Sequence, residues 1–251
     1  VMENRSFDQV AGHSPYLNRL ARRCGLARRY YAITNPSLPN YLAMTSGRPY
    51  LKWSRSDCSA APGCNTGARS LFGQVGDWKA YEEHMTSNCQ TVDDPIKHYA
   101  VRHNPPPYYT KIAVECTQKD VPLGASNGGL VDDLANDSLP KFAFITPDLR
   151  HDEHDASISV GDKWLSRWVP KILNSTAYAS GRTALFITYD EGESSSNHIY
   201  TVVVAPSVKR HTVARGHFTH YSLLRTWEKM LGVKCLRRAC NATSMTTAFR
   251  L

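Results

Sequence analysis

Three short stretches of this chain are apolar without interruption: Phe142-Ala143-Phe144-Ile145-Thr146, Ala184-Leu185-Phe186-Ile187-Thr188-Tyr189 and Thr201-Val202-Val203-Val204-Ala205. Unbroken rather than alternating apolarity predicts strands buried on both faces of a largely parallel sheet. Arg29-Tyr30-Tyr31-Ala32-Ile33 reads as a further strand, and Val1-Met2 as the tail of one whose beginning lies upstream. The gene product is therefore expected to extend beyond these 251 residues. Helical periodicity fills the intervals. Leu17, Leu20 and Ala21 share a face between Ser14-Pro15 and a stop at Gly25. Trp164, Leu165, Trp168, Ile172 and Leu173 mark a second helix, with Pro170 as a kink or break. A third runs from about His220 through Leu223, Leu224, Trp227 and Leu231 to Gly232.

The region from roughly Tyr50 to Gly129 shows little periodicity and is rich in Gly, Pro, Ser and Cys. It reads as a long loop-rich insertion. Strands alternating with helices predict the α/β class, as a three-layer α/β/α sandwich in one domain over residues 1–251. No internal repeat is present.

Composition narrows the partners. A hydrophobic content of 41% in 251 residues allows one large core or two modest ones. No apolar run approaches the roughly 20 residues of a transmembrane segment. A formal charge of +8 favours anionic partners. The basic residues are scattered, without zinc-finger, basic-zipper or RNA-binding spacing, so a solvated basic surface or steering toward a small phosphorylated substrate explains the charge, and a specific nucleic acid is not expected. Seven cysteines fall mostly into close couples, Cys58 with Cys64, Cys89 with Cys116 and Cys235 with Cys240, leaving Cys24 over as a buried free thiol. Disulfide-closed loops imply an oxidising compartment, hence a secreted or extracytoplasmic protein.

The segment Asn35-Pro36-Ser37-Leu38-Pro39-Asn40-Tyr41, closed by Thr45-Ser46-Gly47, carries the most specific chemistry. Pro39 fits the first turn of a helix and Gly47 a left-handed stop. Ser37 then lies where free N–H groups and the helix dipole favour negative charge. In open α/β sheets, ligands bind beyond the carboxyl ends of the strands. Those positions hold Glu3-Asn4, Asp152-Glu153-His154-Asp155 and Asp190-Glu191. Carboxylates gathered so closely repel unless a cation sits among them. The oxygen-rich set Glu3, Asn4, Asp190 and Glu191 suits Ca²⁺, Mg²⁺ or Mn²⁺, and nearby histidines move the balance toward zinc.

Met2-Glu3-Asn4-Arg5-Ser6-Phe7, the Ser37 segment, Asp152-Glu153-His154-Asp155, Gly161-Asp162-Lys163-Trp164-Leu165, Thr188-Tyr189-Asp190-Glu191 and His220-Tyr221-Ser222-Leu223-Leu224 resemble, in order, the phosphoesterase family of secreted acid phosphatases and bacterial phospholipases C. That family is a branch of the alkaline phosphatase superfamily, and the acid phosphatase branch is the nearer. The resemblance implies one divalent metal ion on Glu3, Asn4, Ser37, Asp190 and Glu191. It implies Ser37 as nucleophile, forming a phosphoserine during monoester hydrolysis. Asn40 resembles a donor to a phosphoryl oxygen, and His154, Asp155 and His220 resemble acid–base and phosphate-orienting groups. Arg102-His103-Asn104-Pro105 matches a further segment, which makes Arg102 and His103 candidates for holding phosphate; His198 is another. Leu149-Arg150-His151 and Ala156 depart from relatives that carry a cysteine pair flanking this motif, which bears on the rigidity of the loop. Two other classes are a silent binding module on this fold and a basic nucleic-acid binder. A phospholipase C is the alternative within the family; it would touch a lipid surface through an apolar rim drawn from Trp53, Trp78, Tyr108 and Tyr109.

Overall fold

In the computed structural model, which describes residues 1–251, eight strands form two sheets. Six of the strands lie in chain order as β1 (Gly25–Tyr31), β2 (Trp78–Glu82), β3 (Asp120–Pro122), β4 (Phe142–Thr146), β5 (Leu185–Thr188) and β6 (His198–Ile199). β7 (Thr201–Val204) and β8 (Thr212–Thr219) complete the set. In the larger sheet β1 runs parallel to β8 along one edge and antiparallel to β6 and β7 along the other. β5 pairs antiparallel with β7. In the smaller sheet β2 lies between β3 and β4, parallel to both.

The pairing is therefore mixed, and the expected largely parallel sheet is corrected. Unbroken apolarity reports cover on both faces of a strand and carries no information about its direction. The return from β5 to β7 contains no helix, so it leads back antiparallel.

Val1 and Met2 join the two sheets. The Val1 ammonium donates to the Ile145 carbonyl of β4 at 2.7 Å. The Met2 N–H donates to Thr188 of β5, and the Met2 carbonyl accepts from the Asp190 N–H. Glu3 is thereby delivered to the seam between the sheets. Beyond Val1 the gap between β4 and β5 widens into an apolar cavity of about 540 Å³, which Trp164, Trp168 and Trp227 help to line.

The helices are α1 (Phe7–His13), α2 (Pro15–Arg23), α3 (Ser37–Ser46), α4 (Leu51–Ser54), α5 (Leu71–Val75) and α6 (Ala113–Lys119), followed by α7 (Leu130–Ala135), α8 (Ile158–Leu173), α9 (Thr176–Ala179), α10 (His220–Met230) and α11 (Thr246–Phe249). α8 runs through Pro170 and ends three residues later. The helices serve two hydrophobic cores. Val10 of α1, Leu17 and Leu20 of α2 and Leu165 of α8 pack with β1 and β7 in a core of 29 buried residues. Leu38, Tyr41 and Leu42 of α3 pack with Trp78, Phe142 and Phe144 in a second core of 20. Adjacent residues of α10 serve both, Leu223 in the first core and Leu224 in the second.

The expected loop-rich region supplies β2, the middle strand of the smaller sheet. Its five residues are too few, among turns and disulfides, to leave a periodic trace. The three cysteine couples form as expected, and Cys24 is free and half-buried.

All ten residues of α3 are buried. Its interior hydroxyls are satisfied within the helix, Thr45 donating to the Tyr41 carbonyl at 2.7 Å and Ser46 to Leu42 at 2.8 Å. Gly47 ends the helix at φ 74°, and a Cβ there would run into the Leu236 carbonyl oxygen. Gly47→Ala should therefore cost at least about 1–3 kcal/mol, as left-handed strain with a clash added. Urea unfolding of the two proteins side by side measures it.

Candidate active site

Ser37 opens α3, preceded by Pro36, and its hydroxyl donates to Glu3 Oε2 at 2.9 Å. Tyr41, one turn further along the same face, donates to the other oxygen, Glu3 Oε1, at 2.6 Å. Glu3 is fully buried, as are Asp152 and Asp190. Asn4, half-buried at φ 56°, directs its backbone N–H to Asp190 Oδ1 at 3.1 Å. The structure thus brings Glu3, Asn4, Ser37, Asp190 and Glu191 into one neighbourhood, with Asn40 as the link to Glu191. The Asn40 amide donates to Glu191 Oε2 at 3.1 Å and to the carbonyls of Thr34 and Pro36, while its oxygen accepts from Ile33 and Thr34. Asn40 therefore holds the loop before Ser37 in place with both ends of its side chain.

His103 stands over the same cluster. Its ring stacks on Tyr41, with Nδ1 3.1 Å from Asp152 Oδ2 and Nε2 3.4 Å from Glu3 Oε2. His154 is paired through Nδ1 with Asp155 Oδ1 at 2.6 Å, and its Nε2 lies 3.4 Å from Arg102 Nη2. His220 is buried beneath Asp190. Its Nε2 donates to the Asp190 carbonyl, which leaves Nδ1 to accept from the Tyr30 hydroxyl at 3.1 Å. Both ring nitrogens are thus taken. His198 lies apart on β6, bonded to the Arg28 carbonyl and stacked between Phe7 and Tyr31.

The Asp152–Asp155 loop is held without the cysteine pair. Arg5 Nη2 donates to the carbonyls of Glu153 at 2.7 Å and Ala156 at 2.9 Å, and the Tyr189 hydroxyl donates to the Glu153 carboxylate. Trp78, Tyr108 and Tyr109 are buried in the second core, and of the four expected rim residues only Trp53 is partly exposed.

Electrostatics shows what the cluster lacks. Burial, followed by the Asp190 and Asp152 charges, pushes the Glu3 carboxyl well above the usual range. Burial also raises Asp152, and it brings Asp190 to about 6. Glu191 rises to about 8 through burial and the Asp190 charge. Desolvation, then Arg102, holds His103 well below the ordinary imidazole value, and burial takes His220 down to about 4. Asp190 Oδ2 and His103 Nε2 are buried with no hydrogen-bond partner. Two orphaned ligand atoms beside crowded carboxylates fit a divalent cation, which would offset the repulsion and complete the unpaired atoms. Glu3, His103 and Asp152 each offer a ligand atom within 4.8 Å of the others.

Tyr41, Tyr30 and Asp57, whose carboxylate accepts from the Leu38 N–H at 3.0 Å, join the site beyond the residues that the sequence marks. Tyr41 was legible as the residue four after Ser37, on the same helical face. Tyr30 and Asp57 carry no local signal, because only the fold brings them near.

Comparison with known proteins identifies the family. A model of the phosphoesterase family matches residues 13–234. An acid phosphatase of Aspergillus fumigatus is 29% identical over 248 residues, and the alignment covers 94% of this chain and 55% of that relative. The chain thus spans about half the length of this fungal protein. A phosphatidylinositol-3-phosphatase of Mycobacterium tuberculosis is 30% identical over 251 residues, with 98% of this chain and 80% of the relative covered. A solved structure from Vibrio parahaemolyticus, a protein in the alkaline phosphatase superfamily, is alike in fold. It has a TM-score of 0.55 at 14% identity and covers 91% of this chain and 64% of that one.

The carboxyl shifts set a pH dependence. Asp190 and Glu191 have folded values near 6 and 8, above their ordinary 3.8 and 4.5. Their protonated forms therefore stabilise the fold at low pH, and that contribution is lost as pH rises through about 6 and 8. A divalent cation binds the ionised forms, so chelator-treated protein should gain more from added cation at pH 8 than at pH 5. The gain is about 2.7 kcal/mol at a hundredfold excess over Kd. Thermal scans at both pH values, with and without the ion, read it directly; an equal gain at both would contradict it.

Proposed function

Because this chain belongs to the phosphoesterase family, we propose that it hydrolyses phosphate monoesters with Ser37 as nucleophile, as a metal-dependent enzyme of an oxidising, extracytoplasmic compartment. The sharing of α10 between the two cores, and the joining of the two sheets by Val1 and Met2, support reading it as one three-layer domain. The observation that carries the functional reading is the Ser37 hydroxyl donating to Glu3 at the start of a buried helix, amid carboxylates that call for a cation.

Each residue has a task that its contacts support. Glu3, Asn4, Asp190 and Glu191 would hold one divalent ion together with the Ser37 oxygen. When bound, the ion supplies positive charge that acidifies the hydroxyl and balances the phosphoryl oxygens. Tyr41 fixes the Glu3 carboxylate so that its other oxygen faces Ser37. Ser37 Oγ attacks phosphorus, the bond to the leaving oxygen breaks, and the serine proton passes to Glu3. Arg102 and the first N–H groups of α3 share the charge on the phosphoryl oxygens. His154, oriented by Asp155 through Nδ1, protonates the departing alkoxide from Nε2. Water then attacks the phosphoserine with His154 as base, releasing inorganic phosphate and restoring the Ser37 hydroxyl. His220 acts one layer below. Neutral and bonded at both nitrogens, it positions the Asp190 backbone rather than moving a proton.

The relatives are named acid phosphatase and phosphatidylinositol-3-phosphatase, and three of the four aromatic residues expected of a phospholipase C rim are buried, which favours the monoester reading. Ser37→Ala should lower kcat for para-nitrophenyl phosphate by about three to six powers of ten while the fold is retained. Acid-quenched wild-type protein should carry phosphate on the Ser37 peptide by mass spectrometry. A variant that turns over at the wild-type rate would remove Ser37 as nucleophile. Faster turnover of phosphatidylcholine than of the monoester would replace the monoesterase reading.

A further inference from the structure

The helix that carries Ser37 has no cap of its own. Pro36 occupies the capping position and offers no side-chain oxygen, so the N–H of Leu38 needs an acceptor from elsewhere. That acceptor is Asp57 Oδ1, at 3.0 Å and 19 residues further along the chain. Asp57 is half-buried at φ 48° and immediately precedes Cys58, whose disulfide to Cys64 closes a short loop.

A backbone donor and two cationic side chains face this carboxylate, against the cost of its burial. Burial raises its pKa, and the Leu38 N–H, Arg102 and His154 oppose that by favouring the charged form. Asp93 and Glu191 lie close enough to repel it. Arg102 and His154 are themselves adjacent, and Arg102 keeps a longer contact of 3.6 Å to Asp93. A phosphoryl group on Ser37 would draw on these same groups: a helix N-terminal N–H, a guanidinium and an imidazole.

We propose that Asp57 is a specificity-determining residue that occupies the seat of one phosphoryl oxygen in the resting protein. The inference rests on reading Ser37 as the phosphoryl acceptor. An arriving phosphoryl group must displace the Asp57 carboxylate from the Leu38 N–H or share the pocket with it. Either way its negative charge weakens the binding of doubly charged phosphate. The same charge weakens the hold on inorganic phosphate and so favours release of product. The disulfide-closed loop keeps the carboxylate close by while it is displaced.

Asp57→Asn isolates the charge, because the amide oxygen still accepts from the Leu38 N–H and keeps α3 capped. Inorganic phosphate as a competitive inhibitor of para-nitrophenyl phosphate turnover should bind on the order of tenfold more tightly to this variant, with KM lowered in parallel and kcat not raised. Titration calorimetry of inorganic phosphate into S37A and S37A/D57N reads the same difference without turnover. Phosphate affinity that is unchanged or weaker in both formats, in variants that melt at the parent temperature, would leave Asp57 as a helix cap and overturn the inference. Wild-type protein that turns over while S37A is inactive would uphold the Ser37 reading independently. Wild-type protein that neither hydrolyses the ester nor binds phosphate would overturn that reading, and the Asp57 inference with it.

Discussion

The burial of Glu3, Asp152 and Asp190 side by side is the constraint around which this protein is arranged. Removing one carboxylate from water is costly, and adjacent carboxylates raise one another's cost further. The donors around Glu3 answer part of that cost. Ser37 and Tyr41 each donate to one of its oxygens, and the His103 ring spans the space between Glu3 and Asp152. The Asn4 N–H and the N–H of Glu191 both turn toward Asp190. Two ligand atoms remain unanswered among them, Asp190 Oδ2 and His103 Nε2. Beside crowded carboxylates, these two atoms fit a divalent cation.

The position of this cluster follows from the chain's first residues. Val1 and Met2 lie between β4 and β5, so Glu3 emerges where the two sheets meet. Asp190 follows β5 at the same seam, and the loop after β4 brings Asp152. Arg5, two residues past Glu3, then reaches across to the carbonyls of Glu153 and Ala156. A guanidinium thus anchors this loop through the carbonyls of Glu153 and Ala156.

Much of this was legible in the chain, and what was not shares one cause. Ser37, Glu3, Asn4, Asp190 and Glu191 could be read because each follows a strand or opens a helix, where local pattern marks the place. The disulfide couples were legible from spacing. Strand direction was not, because the apolar run of Thr201–Val204 looks the same whichever way its neighbour points. β2 escaped notice because five residues among turns leave no period. Asp57 and Tyr30 were invisible for a related reason: their partners, Leu38 and His220, lie 19 and 190 residues away. The role of His220 shows the limit most sharply. Its position could be read from the motif, but its ring is committed to Asp190 and Tyr30, which only the packing decides.

Leu223 and Leu224 stand next to each other on α10 yet face different cores. One helix therefore forms part of the wall of both. Loosening either core would strip packing from a helix that the other core also uses. His220 begins that same helix, directly under the Asp190 carbonyl. The helix shared by the two cores thus also carries the group that holds the Asp190 backbone at the acidic seam.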